Sequence, residues 1–163
     1  MPKDEISFDD FMLDVNPANM EFVHAMHDYL LQSGCTFKIA VANNGRVLSY
    51  NVPKTKRVLL NYVFRKSGMV VRLYGDNIGK YQSALSGMPE NMKKAVIKAP
   101  ICRRLADPAK CNSRCPMGYI FELGDTLYKK CRYSAFMFEV KGENHNAIRK
   151  LVEHELSARL PAG

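Results

Sequence analysis

Between Pro17 and Ser33 the apolar positions Met20, Val23, Leu30 and Leu31 recur with His27 at three- and four-residue intervals, and Phe22, Met26 and Tyr29 widen the stripe. That period predicts an amphipathic helix over residues 17–33 with one buried face. Asn16-Pro17 supplies its start, a capping side chain followed by proline in the first turn, and Ser33-Gly34 supplies its stop. The period then changes to two. Phe37, Ile39 and Val41 alternate with Lys38 and Ala40, Asn43-Asn44-Gly45 interrupts, and a second alternating stretch runs from Val47 to Val52. This is a strong hairpin pattern. After Pro53-Lys54-Thr55-Lys56, the β-branched and aromatic run 57–64 turns at Lys66-Ser67-Gly68 into Met69 to Tyr74, a second hairpin.

Residues 77–99 read as two short helices separated by Ser86-Gly87-Met88-Pro89, with Ile78, Tyr81, Leu85, Met92, Val96 and Ile97 as inward positions and Pro100 as the terminator. Tyr119 to Leu123 and Thr126 to Lys130 flank Gly124-Asp125 as a third hairpin. Asn144 is the expected cap of a last helix whose buried face is Ile148, Leu151, Val152 and Leu156. The predicted class is α+β: a four-stranded antiparallel meander flanked by N-terminal, central and C-terminal helices, with a cysteine-rich loop and hairpin added at residues 100–133. No repeat or long linker divides the chain, so residues 1–163 are expected to form one domain.

The order of helix, four-stranded meander and paired helices over residues 17–99 is similar to the YdhG-like small α+β domains. The carriers are the Asn44-Gly45 hairpin, the strand start at Lys56-Arg57, and the turn into Val70-Val71-Arg72-Leu73-Tyr74 before the paired helices. The resemblance implies a fold class and brings no catalytic residue with it. The stretch after Pro100 lies outside it.

With 163 residues, 47% of them hydrophobic and 25% charged, the chain has the composition of a folded protein with an ordinary apolar core. Disordered, collagen-like and disulfide-dense classes are excluded. Charge is unevenly placed. The first fifteen residues carry a net −4 and residues 16–163 a net +12, for the formal total of +8. Residues 98–132 alone hold +5, from Lys98, Arg103, Arg104, Lys110, Arg114, Lys129, Lys130 and Arg132 against Asp107, Glu122 and Asp125. Such a patch is either a solvated face or a surface for an acidic ligand or partner. The acidic N-terminal segment does not read as a secretory leader, and no apolar run has the length of about 20 residues that a bilayer demands. A cytoplasmic protein without membrane contact is the expectation.

The chemistry-bearing feature is Cys102, Cys111, Cys115 and Cys131, spaced Cys-x8-Cys-x3-Cys-x15-Cys, with Cys35 far upstream. In a reducing compartment, clustered thiols serve as metal ligands, as free or redox-active groups, or less commonly as disulfides. Zinc takes four thiolates in a tetrahedron, and Pro108, Asn112, Ser113, Pro116 and Gly118 are residues that bend a chain around an ion. Neither pair has the two-residue spacing of a zinc ribbon, and an iron-sulfur cluster uses the same donors. A structural zinc site at Cys102, Cys111, Cys115 and Cys131 is the leading expectation, and it leaves no open coordination position for hydrolysis. The alternatives are an iron-sulfur protein or a thiol redox sensor built on Cys111 and Cys115. Cys35 is read as a buried small hydrophobe.

Tyr128-Lys129-Lys130-Cys131-Arg132-Tyr133 interleaves aromatic and basic residues as a nucleic-acid-binding surface does, and a strand with snorkelling lysines has the same pattern. His24 and His27 share a helix face but lack a partner motif, so core roles are expected. His145 and His154 are expected to be solvated. Gly75-Asp76-Asn77-Ile78-Gly79-Lys80 is one residue too short for a phosphate loop and is followed by Tyr81 where Ser or Thr is required. With no hydrolase or kinase signature, an enzyme is not the expectation.

Overall fold

The computed structural model describes residues 5–53, 57–107, 109 and 115–160. A five-residue helix, α1 (Phe8–Met12), precedes the long α2 (Pro17–Gln32). Four strands follow: β1 (Thr36–Ala42), β2 (Gly45–Asn51), β3 (Val58–Arg65) and β4 (Gly68–Leu73). Two 3₁₀ turns, Ile78–Lys80 and Gln82–Gly87, lead to α3 (Glu90–Lys98) and the single turn α4 (Arg103–Ala106). The hairpin β5 (Tyr119–Leu123) and β6 (Thr126–Lys130), a short β7 (Met137–Glu139), and α5 (Gly142–Arg159) complete the order. The fold is α+β. No helix among the described residues is long and apolar enough to cross a membrane.

The main sheet has five antiparallel strands where the hydrophobic pattern predicts four, in the order β1-β2-β3-β4-β7. The added strand pairs Phe138 with Val71 and Met137 with Arg72. Three residues are too few to show a period of two, so only the long-range ladder to β4 defines this strand. Register then selects the core face. Leu48, Tyr62, Val71 and Phe138 lie opposite one another across four strands, and Tyr50, Leu60 and Leu73 form the next row. All seven are buried, in one cluster with Phe11, Val23, Met26, Leu30, Ile148, Leu151, Val152 and Leu156 from α1, α2 and α5. At about 25 cal/mol per Å² of apolar surface, these rows supply the principal cohesion of the fold.

Three local outcomes differ from the pattern. The acidic run near the N-terminus conceals α1, which forms through a reciprocal cap: the Asp10 N–H donates to Ser7 Oγ (3.1 Å) and the Ser7 N–H to Asp10 Oδ2 (3.2 Å). The last helix starts at Gly142, so Asn144 lies inside its first turn and is fully buried. There Asn144 exchanges two amide hydrogen bonds with Asn91 (2.8 and 2.9 Å), tying α5 to α3. Of the two histidines of α5, His154 is exposed as expected, whereas His145 is half-buried. His145 stacks on Phe22 at 4.3 Å with Nε2 2.7 Å from Asn19 Oδ1, and His154 stacks on Tyr81 at 5.4 Å.

Candidate metal centre

The cysteine-bearing segment is attached to α3 and β6 by backbone pairing. Ile101 bridges Lys130 in antiparallel sense, the Cys102 N–H donates to the Lys129 carbonyl (3.0 Å), and the Cys131 N–H donates to the Pro100 carbonyl (2.8 Å). Residues 100–102 thus act as a short third strand against β6. Lys130 fixes this pairing from beneath. Its buried ammonium donates to the carbonyls of Ile97 (2.7 Å) and Ala99 (2.8 Å), capping the C-terminal end of α3, where cations are favoured.

In that register Cys102 and Cys131 fall on one face as diagonal neighbours, a relation that puts Cα atoms roughly 7–8 Å apart. Cys102 is buried and Cys131 half-buried. Cys115 opens the return loop, where Met117 adopts a left-handed φ of 86° and Gly118 packs directly on Cys102. The Gly118 N–H donates to Cys102 Sγ at 3.3 Å. A Cβ at residue 118 would lie 2.7 Å from Cys102 Cβ and 2.9 Å from its sulfur, and would also collide with the Lys130 carbonyl. Only glycine lets the loop backbone reach the thiol. Beside it, half-buried Arg104 donates through Nη1 to the Cys115 carbonyl, while its buried Nε has no hydrogen-bond partner among the described residues.

The chain segments that carry Cys102, Cys115 and Cys131 therefore adjoin one another. Cys111 lies outside the described residues. Among the described residues, no three His, Cys, Asp or Glu side chains stand as a group able to hold an ion. Cys35 is buried elsewhere, in the core cluster, and its burial pushes the thiol pKa up.

A second polar constellation adjoins this segment through Arg132. Asp76, just past β4, pairs with Arg132 through Oδ1 and with Arg159 through Oδ2 (3.4 Å), and Arg57 stands 3.7 Å away. Arg132 lies over the rings of Tyr74 (5.1 Å) and Tyr119 (5.6 Å). Burial works against its charge, but the hydrogen bond to Asp76 holds its pKa above the ordinary arginine value. Behind Asp76, fully buried Glu155 accepts from Tyr81 Oη (2.6 Å), the Asn77 N–H (3.0 Å), Asn77 Nδ2 (2.8 Å) and Arg159 Nε (2.8 Å). Both carboxylate oxygens have donors. Burial and then Glu155 push the Tyr81 phenol well above its ordinary range. Nothing local marks this network in the sequence, because partners such as Asp76 and Arg159 stand 83 positions apart and meet only when α5 docks on the end of β4.

No family model, curated protein or solved structure matches the chain. Its reading rests on its own residues.

The basic patch narrows when its members are placed. Lys130 caps α3, Arg132 is paired with Asp76, Arg104 is bonded to Cys115, and Lys110 and Arg114 lie outside the described residues. Lys98, Arg103 and Lys129 are exposed. In the interleaved run 128–133, Lys129 is the basic side chain that faces solvent. His27 is buried, stacked on Phe8 at 3.7 Å with Nδ1 2.8 Å from Tyr50 Oη, and His24 meets the edge of the same Phe8 ring. Both act in packing α1 on α2.

Proposed function

We propose that residues 100–133 carry a structural metal-thiolate site whose ligands are Cys102, Cys115 and Cys131, with Cys111 as the fourth, and that the ion is zinc. The observation that carries this reading is the Gly118 N–H aimed at Cys102 Sγ from a position that tolerates no side chain. Backbone N–H donors to cysteine sulfur are an outer-sphere feature that orients a thiolate and tunes it as a ligand. Arg104 places a cation beside the Cys115 segment, where it offsets part of a tetrathiolate's negative charge. Since ion binding and local folding are coupled, the ligands need not stand fully assembled beforehand.

When bound, the ion supplies cross-linking rather than reaction chemistry: four filled positions leave none for substrate. The chain's own groups then present Lys98, Arg103 and Lys129 around the site as a surface for an acidic ligand or partner. Loading the chain with cobalt in place of zinc tests the donor set. A thiolate-to-cobalt charge-transfer band that is lost in Cys102→Ser and Cys131→Ser, but retained in Cys35→Ser, is expected. A cobalt spectrum without thiolate bands overturns the assignment.

A further inference from the structure

The two edges of the five-stranded sheet are unlike. One edge, β7, is three residues long, carries Glu139 paired with Lys141 (3.4 Å), and packs against α3 and α5. The other, β1, is a full seven-residue strand whose ladder, among the described residues, runs to β2 alone and whose residues are exposed at six of seven positions. Its core-side row is Phe37, Ile39 and Val41, with Phe37 38% and Val41 75% exposed. An uncovered edge of this length is a template for another strand.

We infer that β1 pairs antiparallel with β1 of a second copy of this chain, about a two-fold axis through Ile39, to make one continuous sheet. Ile39 is the midpoint of Thr36–Ala42, so full overlap and two-fold symmetry coincide. In that register Phe37 faces Val41 of the other copy, Ile39 faces Ile39, and Val41 faces Phe37, which joins six apolar side chains in one row. On the opposite face Lys38 meets Ala40, so the two lysines are not opposed. A one-residue slip, centred on Ala40, leaves Phe37 facing Asn43 beyond the strand; the apolar pattern selects the Ile39 register. The row continues into a groove of about 570 Å³ lined by Glu5, Ile6, Ser7 and Phe8 with Phe37, Lys38 and Ile39.

Sedimentation of the full-length chain over a concentration series tests this, together with amide exchange of residues 36–42. A reversible dimer is expected, with slower exchange of β1 amides at higher concentration. Val41→Lys, at a position exposed enough to leave the fold intact, is expected to weaken the dimer at least about tenfold, and Ile120→Lys on the exposed side of β5 to leave it unchanged. A chain that stays monomeric up to its solubility limit overturns the inference, as does a dimer insensitive to Val41→Lys.

Discussion

The five-stranded sheet and the 100–133 segment are held together by different physics. In the sheet, rows such as Leu48, Tyr62, Val71 and Phe138 are redundant: each buried side chain is one of many, and several neighbours share the loss if it shrinks. In the segment, a few directional contacts carry the attachment, namely the Lys130 ammonium under α3, the Arg132 pair with Asp76, and the glycine-only approach to Cys102. The aromatic contact of Phe121 with Phe136 (5.2 Å) joins the two regions.

Substitutions that separate the two regions follow from this contrast. The largest effect is expected at the buried network that serves both, where Glu155→Ala removes one of the two carboxylates paired with Arg159, leaves the buried Tyr81 hydroxyl without its acceptor, and costs about 3–5 kcal/mol of global stability, read by denaturant unfolding. Leu60→Ala opens a cavity in the sheet alone and is expected to cost about 2–4 kcal/mol without altering any metal binding. Gly118→Ala is expected to cost about 1–3 kcal/mol through overpacking. Its signature is local: faster amide exchange in residues 119–130 and weaker metal retention, with residues 58–73 still protected. Equal loss of protection in both regions would erase the distinction between them.

The smallest effect is electrostatic and lies on the sheet side. Burial lowers the His27 pKa and, separately, that of His145, so the unfolded chain binds protons more readily than the folded one as pH falls below about 6.5. Stability is then fully present above that pH and is lost as pH drops toward the folded-state pKa values. A melting temperature that declines between neutral and mildly acidic pH, with a shallower decline in His27→Gln, is the expected result; a melting temperature that rises on acidification contradicts the sign.

The same contrast explains what was legible in the sequence. Helix α2 was readable end to end because Asn16 caps it, with its Oδ1 accepting from the Ala18 N–H (2.9 Å), and because the stripe has a clear 3.6-residue period. The hairpins were readable because their turns need residues such as Gly45 and Gly124, both at positive φ. Strand β7 and helix α1 were not: one is too short to show a period, and the other depends on a single capping box. At the candidate site, the cysteine types and spacing were visible, but the role of Gly118 was not, because its constraint comes from Lys130 and Cys102 twelve and sixteen positions away. Lys130 and Arg132 read as solvent-facing cations in the linear pattern. Only the docking of α3 and the position of Asp76 turn them inward.

The most direct test of the metal-thiolate reading is the metal content of untagged protein purified without oxygen, combined with a thiol titration before and after denaturation. About one zinc per chain, with Cys35 as the single thiol not shielded by the ion and the zinc lost in Cys102→Ser, is the result expected. Protein free of zinc and of iron with sulfide, whose Cys102, Cys111, Cys115 and Cys131 thiols react independently of one another, would contradict it.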